Sequence, residues 1–156
     1  MHDPSGVLSR LHRVVKPDGV ALIRIPVVSS QAWRTYGVDW VQLDAPRHLF
    51  LHSEKSMRIL AERTGFSISD VIHDSSAFQF WGSEQYRRDI PLMSESSYDR
   101  DPKRSIFSKE EIARFDAQAA ELNAQGDGDS ACFYLRKGAR PTAVEPGTTV
   151  STERTP

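Results

Sequence analysis

Leu11-His12-Arg13-Val14-Val15-Lys16-Pro17-Asp18-Gly19-Val20-Ala21-Leu22-Ile23-Arg24-Ile25-Pro26 contains a change of hydrophobic period that decides the fold. Ahead of the change, Val7, Leu8, Leu11, Val14 and Val15 recur at i, i+1, i+4, i+7 and i+8, a single apolar stripe with Arg10 and Arg13 off it. That spacing predicts a helix to about Val15, opened by Asp3-Pro4, where the Asp accepts from free amides and Pro removes no needed donor. Pro17 disfavours helical geometry in the residue before it, and Asp18-Gly19 suits a tight turn. Behind the turn, Val20 to Ile25 is a short, nearly continuous apolar run, the pattern of a strand covered on both faces.

Downstream, residues 26 to 52 hold no period and read as a long connection with a short helix near Ser30; long ordered connections are often functional. Ser53 caps the next helix, whose inward stripe is Met57, Leu60, Ala61 and Thr64, and Thr64-Gly65 ends it. Phe66 to Ile72 reads as a strand. His73 to Phe107 reads as irregular, rich in aromatics and broken by Pro91 and Pro102. Ser108 followed by Glu111 is a capping-box signature for a helix through about Asn123, with Ile112, Phe115, Ala119 and Leu122 on one side. Gly126-Asp127-Gly128-Asp129 is a turn before a last strand, Ala131 to Leu135. The Pro- and Thr-rich stretch from Gly138 to Pro156 reads as a disordered tail. Helices alternate with strands throughout, so the fold class is α/β with helices flanking a sheet.

A chain of 156 residues with 38% hydrophobic and 26% charged content is long enough to bury one real core. A formal net charge of -1 supplies no broad field to hold nucleic acid or an anionic membrane, so neither is expected as a partner. Cys132 is the single cysteine, excluding an intramolecular disulfide, and its strand-like setting reads as a buried free thiol. No signal-peptide pattern and no apolar run near the roughly 18 residues of a membrane span is visible, and a cytoplasmic location is expected. Zinc-type Cys/His spacings and internal repeats are absent from the sequence.

Two stretches resemble a known family. Asp3-Pro4, then Leu11 to Ile23 with Pro26, is similar to the "D-P … L-x-R-V-L-K-P-G-G-x-L-x-I-x-x-P" segment of class I S-adenosylmethionine (SAM)-dependent methyltransferases, departing at Asp18 and Ala21. Leu43 to Ser53, followed by Leu60 to Phe66, resembles the "D-x-P-R-H-L-x-x-[FH]-[ST] … L-x-x-x-x-G-F" block of a subgroup acting on sugars, quinones and small metabolites. The resemblance implies a partial Rossmann-like methyltransferase sheet: strands five, six and seven, the final one antiparallel and lying between the other two. It implies SAM as cofactor and a small-molecule substrate. It also implies domain limits: 1–137 is the C-terminal part of a methyltransferase domain, and 73–107 is an insertion that acts as a lid or a connection.

Against that pattern, the first four strands, with the glycine-rich turn and ribose-binding acid that hold most of the cofactor, are missing. Gly126 and Gly128 precede a strand instead of following one. The expectation is therefore a truncated enzyme, or alternatively a non-catalytic remnant that works by associating with another chain. An unrelated nucleotide-binding α/β domain is disfavoured, because no phosphate-cradling loop occurs. An apolar strand without its neighbour presents an unpaired edge, so self-association through that edge is expected.

For a methyltransferase, chemistry amounts mainly to holding the acceptor and removing its proton. On the resemblance, His48 is the candidate base, since histidine is the side chain suited to proton transfer near neutral pH and it stands in the loop after the fifth strand; it otherwise fixes that loop through a carbonyl. Arg47 either forks onto a substrate carboxylate or phosphate or pairs with Asp44. Trp33, Tyr36 and Trp40 either wall a substrate pocket or anchor their loop to the core. His2 lies next to where the family's cofactor cleft falls. His12 and His52 read as surface residues, and the charges at Glu84, Arg87, Arg88 and Asp89 as a solvated face.

Overall fold

The computed structural model describes residues 2–138. The first helix, α1 (Pro4–Val14), starts on the Asp3 cap, whose carboxylate accepts the Gly6 amide at 2.8 Å. Strand β1 (Val20–Pro26) follows, then α2 (Gln31–Tyr36), capped by Ser30, and two short 3-10 turns to Leu43. α3 (Glu54–Arg63) opens on a reciprocal cap between Ser53 and Ser56, and leads into β2 (Phe66–His73). α4 (Phe78–Tyr86), α5 (Lys109–Ala124) and β3 (Ser130–Lys137) complete the described chain. The Ser108–Glu111 capping box forms as its residue types require, with Glu111 accepting the Ser108 amide at 2.8 Å and Ser108 accepting the Glu111 amide at 3.1 Å. The expected disordered tail, apart from Gly138, lies outside the described residues.

The sheet order is β1-β3-β2, and β3 runs antiparallel to both neighbours. The last strand thus lies between two strands that are parallel to one another, as the family resemblance implied. Phe133 stands opposite both Ile23 and Val71, at the centre of the sheet. One face carries Ala21, Ile23, Ile25, Ala131, Phe133 and Leu135, on which α1 and α3 lay Leu8, Leu11, Met57, Leu60 and Ala61. The other face is not closed in the same way: Val20, Leu22 and Ile72 remain 43%, 54% and 46% exposed. β1 was read as covered on both sides; among the described residues its second face stays open to solvent.

The stretch from His73 to Phe107, expected to be irregular, contains α4. This helix has buried residues all round, including Gln79, Ser83 and Gln85, so it shows no apolar stripe in the sequence. Most of its polar groups find partners: Ser83 donates to the Gln79 carbonyl and accepts the Val41 amide at 3.0 Å, and Gln85 holds the Ser97 hydroxyl and the Tyr98 amide, whereas Gln79 Oε1 is buried without one. Gly82 permits the close packing, since a Cβ there would stand 2.8 Å from a Val41 methyl. Phe80 joins Ala32, Tyr36, Trp40, Ala119 and Leu122 in a second core beyond the carboxyl end of β1. Among the described residues no helix is long and apolar enough to cross a membrane.

Candidate functional site

Open α/β sheets take ligands at the carboxyl ends of their strands, where helix N-termini converge. A cavity of about 280 Å³ occupies that position at the end of β1. Its floor is Ile23 and Ile25, its walls are Leu8 and Leu11 of α1 and Met57 and Leu60 of α3. The segment from Arg47 to Phe50 closes it over, and His52 borders it from below α3. The local reason is plain: α1 and α3 pack on the same face of the sheet, and the connection between β1 and α3 must return across the gap between them.

The candidate residues separate into two groups. Arg47 and His48 come together on the cavity. Arg47 Nε stands 3.1 Å from Asp44 Oδ2, and its side chain is 79% exposed, so this ion pair contributes little to stability and leaves the guanidinium free to exchange partners. His48 is half-buried. Trp33, Tyr36 and Trp40 do not line this cavity; they lie in the second core. Trp40 is fully buried and donates from Nε1 to Asp129 Oδ2 at 2.9 Å, Trp33 meets it edge-on at 5.7 Å, and the Arg87 guanidinium sits 4.5 Å over the Tyr36 ring. His2 is exposed beyond the N-terminus of α1, where Pro4, not His2, reaches the cavity.

His52, read from sequence as a surface residue, is half-buried at the cavity wall. Burial pushes its imidazole below the ordinary histidine range. Its Nδ1 lies 3.1 Å from Ser56 Oγ, and its carbonyl accepts the Val28 amide at 3.0 Å, tying it to the end of β1. The signal available in the sequence was its place at the [FH] position of the motif that also holds Arg47 and His48. Asp129, read as a turn residue, is almost wholly buried, and burial raises its carboxyl above the usual range against the opposing pull of the Trp40 hydrogen bond.

The described residues do not fit the methyl donor. Gly37, Gly65 and Gly126 adopt positive φ, yet each follows a helix, so none forms the strand-to-helix turn that brings backbone amides to a cofactor. Asp74, the acid just past β2, is held by Arg24 Nε at 2.6 Å. Among the described residues no group of three or more His, Cys, Asp or Glu side chains is placed to hold a metal.

Residues 1–71 match the family model described as "Methyltransferase domain". No curated protein sequence matches the chain. Among solved structures, a phospholethanolamine N-methyltransferase 2 from Haemonchus contortus, in complex with phosphomonomethylethanolamine and S-adenosylhomocysteine, is 20% identical with a TM-score of 0.38, over 88% of this chain and 30% of that one. A putative sarcosine dimethylglycine methyltransferase from Galdieria sulphuraria is 18% identical with a TM-score of 0.42, over 87% of this chain and 48% of that one. A cyclopropane synthase from Mycobacterium tuberculosis is 15% identical with a TM-score of 0.41, over 86% and 50%. The chain thus spans half or less of the length of these solved structures.

Proposed function

From the match of residues 1–71 to a methyltransferase-domain model, we propose that this chain forms the acceptor side of a SAM-dependent methyl transfer to a small molecule. The observation that carries the proposal is the cavity at the carboxyl end of β1, which lies within the matched residues and is closed by the loop bearing Arg47 and His48. SAM supplies the methyl group in such chemistry, and its cradle would have to come from residues other than those described. The cavity's own contribution is to exclude water and orient the acceptor against the end of β1.

Its lining favours an aromatic or quinol-type acceptor over a sugar, because a sugar's hydroxyls would find few partners among Leu8, Leu11, Ile25, Met57 and Leu60. Methyl NMR on this chain tests the reading. Ring-hydroxylated aromatics are expected to shift the methyl signals of Leu8, Ile25, Met57 and Leu60, glucose to leave them in place, and SAM to produce no saturable shift. Preference for glucose, or tight SAM binding to the chain by itself, would overturn the reading.

A second reading, association with another copy, draws on the edge of β1, which is unpaired among the described residues, and on the exposed Val20 and Leu22 beside it. Apart from Arg24 the edge is apolar, and it carries no lysine and no proline before Pro26, devices that usually blunt such edges. Sedimentation velocity is expected to show a concentration-dependent dimer that Leu22→Lys weakens. A monomer at every concentration would dispose of this reading.

A further inference from the structure

His52 is fixed by more than its place on the cavity wall. Val27 and His52 form a parallel bridge at the end of β1, and the next residue, Ser53, caps α3, so the backbone on both sides of the ring is held. The ring then meets a hydroxyl that has two backbone partners in the Ser53 cap. Ser56 Oγ donates its one proton to the Ser53 carbonyl at 3.0 Å and accepts the Ser53 amide at 3.0 Å. A serine hydroxyl has one donor and two acceptor positions, so what remains for His52 Nδ1 at 3.1 Å is an acceptor position. With the Ser56 proton on the Ser53 carbonyl, the ring hydrogen falls on Nδ1, which leaves a lone pair on Nε2.

We infer that Nε2 of His52 is a hydrogen-bond acceptor presented to the cavity, and that the cavity selects an apolar molecule bearing one O–H donor, of the phenol class. The inference rests on the acceptor cavity proposed above and assigns to His52 the part that sequence alone suggested for His48. Burial, which disfavours the charged ring, keeps this lone pair available near neutral pH. It also supplies a discrimination between substrate and product. A phenol satisfies Nε2, whereas its methyl ether has no hydrogen to give and leaves a half-buried acceptor without a partner. A site that loses such a bond binds the analogue lacking the donor about tenfold more weakly.

Two measurements on the full chain test this. Long-range 1H–15N correlation at neutral pH is expected to show His52 with its hydrogen on Nδ1, and Ser56→Ala to release it to a mixture of tautomers. Binding of 4-ethylphenol is expected to exceed that of 4-ethylanisole about tenfold. His52→Leu should bind both equally, near the ether's original affinity, and His52→Gln, whose amide oxygen can accept, should keep part of the preference. A hydrogen on Nε2 in the unliganded protein, or equal affinity for the two probes in the wild type, overturns the assignment of His52 while leaving the cavity as an acceptor site. Binding of neither probe overturns the ligand class and the acceptor cavity together, and the tautomer is still read independently.

Discussion

Replacing Trp40 by alanine is expected to cost about 3–5 kcal/mol of folding stability, read as a fall in the urea midpoint. Two losses combine. The indole is fully buried against Trp33 and the second core, so truncation leaves a void that packed neighbours fill only in part. Its Nε1–H is also a partner of the buried Asp129 carboxylate, which would lose that donor in the mutant. Trp40→Phe separates the two: it preserves much of the packing and removes the hydrogen bond, and should cost about 1–3 kcal/mol, the usual penalty for an unsatisfied buried group. Equal losses in the two variants would mean that packing is not what holds the loop.

The second large effect concerns Asp129. Its carboxyl titrates above the ordinary range in the folded chain, first because of burial, with the Trp40 bond working in the opposite direction. A folded value above the unfolded one means that the native state holds a proton the unfolded state has already released. The associated stability is complete below the ordinary carboxylate range and is lost as pH rises through the raised folded value. Asp129→Asn keeps an oxygen to accept from Trp40 and removes the titration. Its stability should match the wild type at low pH and exceed it increasingly as pH approaches neutrality, measured as urea midpoints across that interval. A difference that does not change with pH would place the ionisation elsewhere.

How much of this arrangement was written in the chain varies by element. The succession of α1, turn and β1 is legible because the switch from helical spacing to a continuous apolar run takes place within neighbouring residues. The Ser53 and Ser108 caps are legible for the same reason, since each is completed three residues later. α4 was not, because a helix enclosed on all sides needs no stripe and this one buries glutamines and serines along with its aromatics. The central position of β3 came from family resemblance and not from its own residues. Trp40 could be seen as an anchor or a pocket wall, but its partner stands 89 positions away in what read as a glycine-rich turn. Arg47 and His48 drew notice through a motif. His52 occupies the [FH] position of the same motif, but its partial burial was not legible there, since it depends on α1 meeting α3, a contact between segments that share no local signal.

The placement of β3 also governs the order in which the nascent chain can acquire its sheet. β1 and β2 are not bonded to each other; each pairs with β3. The ribosome completes β2 about sixty residues before β3, an interval of several seconds at roughly 5–20 residues per second. For that time two strands wait for the partner that joins them, and helices α1 and α3 have only half a floor to settle on. Closure is a late event joining distant parts of the polypeptide, and the interval before it is when a holding chaperone would have most to shield.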